Sequence, residues 1–365
     1  MKHAEVRSAL LVAVLAVTLL VLPITYSPPS TASAALNQYV WMKILNTTIS
    51  SIWVGDANYT VVIVGGCVLA VNTSSSASLW EFAPENATVL AAAVLGMVNT
   101  DGLYGISCIV ANRSQTYLAL LNGSSGSIVW TLPAENTTLL ATVANRTGDN
   151  FTDLIAVDTT IRLIDGATGR IIWEKALNAT GTALTLTNSS LVATSCNDTR
   201  ILWWNVSDGT LLAQIAFNAT QLATWNASAV IALNSSHVSL VTLTNILWTL
   251  PVNNAFTAFS LSDVNGDGEA ELLVVNSSTA FWVNASSGVL LHRVALNGSI
   301  VDAATLPPIW ANTSDCGYEL VVGNDTVIAC LDGAFPQTQR FLWTANLTEA
   351  TRATSLLHIS ALAVT

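Results

Sequence analysis

Apolar residues along this chain fall into short runs of four to eight, separated by clusters of Gly, Ser, Thr, Asn and Asp. Runs of that length, rich in β-branched residues and bounded by turn formers, read as strands. They begin near Val61, Ser107, Asp153, Leu191, Val230, Glu271 and Glu319, as in TVVIVGG, DLIAVD and ELLVVN. Another apolar strand precedes each, for example TALTLT or FTAFSLS, and a hairpin follows. Helical periodicity is not seen beyond the N-terminal segment.

The hairpins repeat. In LIDGATGRIIW the turn opens at Asp165 and the next strand carries Trp173, eight positions on; the same offset joins Asn122 to Trp130 and Asn72 to Trp80. It recurs from Asn205 to Ala213 and from Asn284 to His292, where Trp is replaced. A tighter copy ends at Trp248 and a longer one at Trp343. Seven hairpins at a spacing of about 40 residues, each closing a unit of four antiparallel strands, imply radial repetition of small sheets.

The spacing D-x-x-T-G-x-x-x-W, with Asp165, Thr168, Gly169 and Trp173, resembles the tryptophan-docking motif of PQQ-like β-propellers. The resemblance covers roughly Trp41 to Thr365 and implies an all-β propeller of four-stranded antiparallel blades. QYVWMKIL precedes the first unit and SLLHISALAV follows the last. Eight blades are therefore expected, one shared between the termini, with seven as the alternative. Closure of the ring would hide the sheet edges.

Composition places the chain outside the cytoplasm. Although 52% of the 365 residues are apolar, only one run is long enough to cross a bilayer. It spans Ser8 to Thr25, follows Lys2 and Arg7, and leads to the small-x-small pattern Ala32-Ser33-Ala34. Residues 1–34 read as a secretory signal, with an uncleaved N-terminal anchor as the alternative, and 35–365 as one propeller domain. Of 28 Asn, 22 sit in Asn-x-Ser/Thr, where chance gives about six, an excess that reads as dense N-glycosylation. Asx turns account for part of it. The net charge of −11 makes nucleic acid an unsuitable partner. Cys67, Cys108, Cys196, Cys316 and Cys330 are odd in number and show no CxxC spacing, so disulfides are not the framework.

Charge is scarce except in SLSDVNGDGEAELLVV. Asp263, Asn265, Asp267, Glu269 and Glu271 occupy alternate positions of D-x-N-x-D-G-x-x-E, which can point oxygens at one hard cation. The loop resembles the calcium loop of FG-GAP propellers, and the resemblance implies a structural Ca²⁺ held by side chains of Asp263, Asn265, Asp267 and Glu271 and the carbonyl of Glu269. Poorer copies keep Asn145, Asp149 and Asp153; Asn99 and Asp101; and Asn312, Asp315 and Glu319.

Catalytic patterns are scarce. His237, His292 and His358 stand in or beside apolar strands, and neither HExxH nor G-x-S-x-G occurs. Adjacent cysteines, which quinoprotein dehydrogenases of the resembling family use, are missing. Most Trp residues fit packing positions; Trp310 is the best exposed candidate for stacking a sugar. The expected function is a non-catalytic binding or scaffold protein of the cell surface, engaging an envelope protein, a glycan or another copy of itself. Membrane contact would come only through an uncleaved N-terminal segment. The alternative is an extracellular propeller enzyme, a quinone-dependent dehydrogenase or a carbohydrate hydrolase, for which the sequence offers few candidates, Asp302 among them. Scarce Lys and dense sequons also suit an archaeal surface protein.

Overall fold

The computed structural model describes residues 66–300 apart from 73–76, 98–103, 114, 135–136, 150, 189, 262 and 297–298. Outside that span it describes the strands at 11–15, 42–44, 51–54, 60–64, 302–306, 319–323, 327–331, 341–346 and 363–364. Ala32–Ala34, Asn99, Asp101, Trp310, Asn312, Asp315, Cys316, His358 and the turn before Trp343 lie outside the described residues.

Seven four-stranded antiparallel sheets follow one another, at 51–82, 87–133, 139–176, 181–216, 221–251, 255–295 and 302–346. Each is a meander whose first strand is innermost. In the third, Leu139–Val143, Asp153–Val157, Thr160–Ile164 and Ile171–Ala176 pair in that order. Asp153–Val157 is buried throughout, because neighbouring sheets cover both its faces, so its sequence is a continuous apolar run rather than an alternation. The outer strand Ile171–Ala176 is mostly exposed.

Inner strands of successive sheets lie side by side from the first to the sixth. Ala363–Val364 sits against both Ser51–Val54 and Asp302–Leu306, bringing the two ends of the series together. The terminal segments expected to share a sheet do so, with one further member: Leu11–Leu15 lies between them, parallel to Met42–Ile44 and antiparallel to Ala363–Val364. This arrangement of radial sheets is a β-propeller. Among the described residues no helix is long and apolar enough to cross a membrane.

The core lies between blades rather than at one centre. Ile155, Val157 and Leu163 of the third blade pack with Val192, Leu202 and Trp204 of the fourth. Similar clusters join the second blade to the third and the fifth to the sixth. A blade alone would leave most of this surface in water, so each depends on its neighbours.

At the rim, tryptophan clasps four of these seams. Trp80, Trp130, Trp173 and Trp248 donate their indole N–H to the carbonyls of Gly123, Gly166, Val206 and Ala285 in the next blade, at 2.8, 3.0, 2.8 and 2.8 Å. Gly126, Gly169, Gly209 and Gly288 lie beneath the four rings with φ between +68° and +73°. A Cβ at Gly169 would stand 2.8 Å from Trp130 Cδ2, so only glycine suits both the angle and the contact. In all seven outer hairpins the residue before the docking position is bulged, for example Ile172 before Trp173.

The seam between blades four and five is built differently. Ala213 stands at the docking position and pairs across the sheet with Trp203, where the Trp of other hairpins pairs with a smaller residue such as Leu163 or Leu240. The facing turn of blade five closes from Thr242 N to Asn245 O, three residues on, whereas five other turns close over five, as Asp165 N does to Arg170 O. The short turn offers no glycine bed, and the aromatic ring has moved one strand inward. Trp203 is fully buried between the two blades. Hydrogen bonds near the axis join them as well: Thr224 Oγ1 donates to Leu186 O at 2.6 Å and lies 2.9 Å from Thr185 Oγ1, and Thr182 Oγ1 donates to Ala219 O at 3.0 Å.

Side-chain bonds sort the connections onto two faces. The turn after each inner strand shares a face with the outer hairpin, as Gly166 N to Asp153 Oδ1 at 3.0 Å requires. The second turn shares the opposite face with the connection to the next blade: Asn234 donates to Asn218 O at 2.9 Å and Asn276 to Asn253 O at 3.1 Å.

Candidate metal centre

The acidic loop joins Ala255–Ser260 to Glu271–Asn276 in the sixth blade. Its base is pinned by Leu261 N to Glu271 O at 2.8 Å and Ala285 N to Ala270 O at 3.1 Å. Gly266 and Gly268, at φ +80° and +88°, turn the chain back on itself. The backbone then wraps the acids. Asp263 accepts the N–H of Gly266 at 2.7 Å and of Gly268 at 2.8 Å, Asn265 Oδ1 that of Asp267 at 2.8 Å, and Asp267 that of Glu269 at 2.8 Å.

Carboxylate oxygens of Asp263, Asp267 and Glu271 come within 4.8 Å of one another. Among the described residues no other trio of acidic, His or Cys side chains gathers so closely. Glu271 is fully buried: one oxygen accepts Val264 N at 2.7 Å, and the other has no hydrogen-bond partner. Asn265 Nδ2 donates to Asp267 Oδ2 at 3.0 Å. Glu269 points away from the cluster, accepting from Asn284 Nδ2 at 3.2 Å and from the Ser286 hydroxyl.

The electrostatics follow from this wrapping. Backbone donors, Gly268 first, hold Asp263 below the ordinary carboxylate range. Burial, and then the charges of Asp267, Asp263 and Glu269, push Glu271 above it. An orphaned buried carboxylate oxygen is costly unless a cation or proton reaches it. Three gathered carboxylates, one with a free buried oxygen, fit a hard divalent ion, with Glu269 placed to contribute only through its backbone.

The poorer copy at Asn145 shows what fitting requires. Arg146 N donates to Asp153 Oδ2 at 2.5 Å, as Val264 N does to Glu271, but Gly166 N caps the other oxygen at 3.0 Å. Both oxygens are satisfied by the backbone, and Asn145 replaces the first acid. Asp149 caps its own turn through Phe151 N at 2.9 Å. Burial raises Asp153 above its ordinary value.

Around the axis, the described inner strands are built from Ala, Leu, Val, Thr, Phe and similar residues, with Asp302 the one charged residue among them. The described thiols are poor nucleophiles: Cys67, Cys108 and Cys196 are free, and burial pushes them up to about 11, about 12 and about 11. His237 Nδ1 pairs with Ser236 Oγ at 2.8 Å, and the His292 ring tilts against Trp282 with centroids 5.9 Å apart. Trp203, Trp204 and Trp282 are buried and Trp225 is half-buried, so none of these four presents an open face to a sugar.

Sequence reasoning placed the five alternate residues on one loop but missed Asn284 and Ser286, which hold Glu269. The signal was available: in a four-stranded meander the first turn and the outer hairpin share a face, so Asn284 must stand near the acids.

No family model matches the chain, and no curated protein matches it. Solved structures do. The chain is similar to the computationally designed Ika8 protein (TM-score 0.60, 15% identity, 86% of this chain and 90% of that one). It is also similar to the C-terminal WD40 domain of Sif2 (0.57, 12%, 87% and 86%) and to BamB from Moraxella catarrhalis (0.52, 14%, 79% and 83%). At these identities the likeness concerns the fold, which is that of β-propellers.

Proposed function

We propose that this propeller is a secreted or cell-surface, N-glycosylated scaffold of the cell envelope, of the PQQ-like tryptophan-docking type, with an FG-GAP-type loop that holds a structural Ca²⁺. The observation that carries the scaffold reading is the axis. A propeller enzyme needs charged acid and base groups converging there, and among the described inner strands Asp302 is the one charged residue. BamB and the Sif2 WD40 domain, similar in fold, are consistent with a binding role. The partner is an envelope protein, a glycan or a second copy; the net charge of −11 disfavours nucleic acid. The ion would bind Asp263, Asp267 and Glu271, with Asn265 and the Glu269 carbonyl completing the shell, and would join the inner strand of blade six to its neighbour. Export through residues 1–34 puts the chain where calcium and glycans are found.

The test is chemical cross-linking with mass spectrometry on source cells and spent medium. Reproducible cross-links to one envelope protein, or between copies, support the scaffold. Recovery only as a free chain that oxidises alcohols with added quinone, or cleaves a polysaccharide, would replace it with the enzyme reading.

A further inference from the structure

The Asn-x-Ser/Thr triplets have a structural task of their own. Asn122, Asn205, Asn226, Asn234 and Asn276 each accept at Oδ1 the backbone N–H of the residue two positions on, at 2.8 to 3.0 Å. In four of them the Ser hydroxyl of the triplet donates as well. These are Asx turns closing strand ends. They use Oδ1 and leave the amide nitrogen, the atom that takes a sugar, to be placed by the fold.

That placement divides the triplets. Nδ2 of Asn188 donates to Ala227 O at 2.7 Å, of Asn234 to Asn218 O at 2.9 Å, of Asn276 to Asn253 O at 3.1 Å, and of Asn284 to Glu269 Oε2 at 3.2 Å. The first three are half-buried and Asn284 is buried. Asn86, Asn178, Asn197, Asn218 and Asn226 are exposed, and among the described residues their Nδ2 atoms find no hydrogen-bond acceptor. Asn86 and Asn178 project from left-handed positions, at φ +53° and +57°, in connections between blades.

We propose that the chain carries N-glycans at Asn86, Asn178, Asn197, Asn218 and Asn226 and none at Asn188, Asn234, Asn276 and Asn284. The inference rests on reading the chain as a glycosylated surface protein and assigns which sites that modification takes. In the transfer, Asn Nδ2 attacks the anomeric carbon of a polyprenyl phosphate- or pyrophosphate-linked saccharide. The N–C1 bond forms, the C1–O bond to phosphate breaks, the lipid (pyro)phosphate leaves with the bonding pair, and one amide proton passes to a base of the transferase. Attack requires the carboxamide to swing clear of the protein and lose conjugation. A nitrogen tied to a neighbouring carbonyl must first give up that bond and leave its corner. Sugar transferred before folding meets the same obstacle, since the fold must then accommodate it in that corner.

Four of the five acceptors, all but Asn226, stand on the face of the second turns and interblade connections. These four lie on the face opposite the Asp263 loop.

Glycopeptide mapping of the full chain isolated from its source cells tests this, with enzymatic deglycosylation in heavy-oxygen water to mark occupied sites. The expected result is occupancy about tenfold or more lower at the four bonded sites than at the five exposed ones. Synthetic peptides spanning Asn234 and Asn178 should accept saccharide equally from the transferase, which assigns the difference to the fold. Equal occupancy in the protein, or unequal peptides that mirror the protein, would overturn the partition while leaving the glycoprotein reading intact. A chain bare at every site would overturn both.

Discussion

Trp130 of the second blade lies flat against Gly169 of the third, and its indole nitrogen donates to Gly166 O at 3.0 Å. The contact makes a glycine substitution informative. Gly169→Ala meets both a left-handed φ of +73° and a ring 2.8 Å from the new Cβ; Gly148→Ala, at φ +82°, meets nothing within 4 Å. Urea unfolding should show about 1 kcal/mol lost at Gly148 and roughly 2–4 at Gly169, the excess being overpacking. Equal losses would mean that the ring does not bear on the turn.

The calcium reading predicts that chelation lowers the melting temperature and that saturating Ca²⁺ restores it, by about 2.7 kcal/mol at a hundredfold excess over Kd. Glu271→Gln should abolish the calcium-dependent rise without lowering the melting temperature of the metal-free protein, because it removes a buried charge beside two others. Calorimetry with and without chelator reads both. A calcium response that survives in Glu271→Gln would assign the ion elsewhere.

Asp153 titrates with an unusual sign. Its folded value is raised by burial, so the folded chain holds its proton more tightly than the unfolded chain, whose value is about 3.9. Stability from this group is full below that value and is lost as pH rises through the folded value. Asp263 and Asp208, both lowered, act in the opposite direction, so the comparison must be differential. Wild-type stability minus that of Asp153→Asn should fall as pH rises above about 4. A flat difference would show that Asp153 titrates normally.

At the seam between blades four and five, Ala213→Trp should not recreate a clasp, since the facing turn has no glycine bed and Trp203 already fills the space. It is expected to destabilise, whereas Trp203→Ala should cost about 3–5 kcal/mol. Thr224→Val removes one hydroxyl bonded to both Thr185 and Leu186 and should cost roughly 1 kcal/mol. If Ala213→Trp stabilised the protein, the seam would be an unfilled copy of the others.

The strand starts near Asp153 and Glu271 were legible because a strand buried on both sides is a continuous apolar run, and the hairpins because Asp165, Gly169 and Trp173 keep a fixed spacing. Two sequence oddities, Ala213 without its Trp and the shortened turn before Trp248, were visible separately. Their complementarity was not, since it arises across a contact between blades. The run at Leu11–Leu15, which also forms a strand between Met42–Ile44 and Ala363–Val364, suits either role, because hydropathy does not distinguish a secretory run from a strand awaiting partners. At the acidic loop the alternate spacing showed which oxygens could converge. It could not show that one oxygen of Glu271 lacks a partner while both of Asp153 are capped, a difference set by where Gly166 stands.

The four clasps all run the same way round: blades one, two, three and five each give an indole to the turn of the next blade. Such a joint is heterologous, presenting two different surfaces, and repeated heterologous joints make a closed ring or an endless helix according to whether the rotation completes a circle. Ala363–Val364, set between the first and last inner strands, makes this molecule a ring. A copy lacking that strand would carry a donor surface at one end and an acceptor at the other. Its natural product is a chain of molecules rather than a disc.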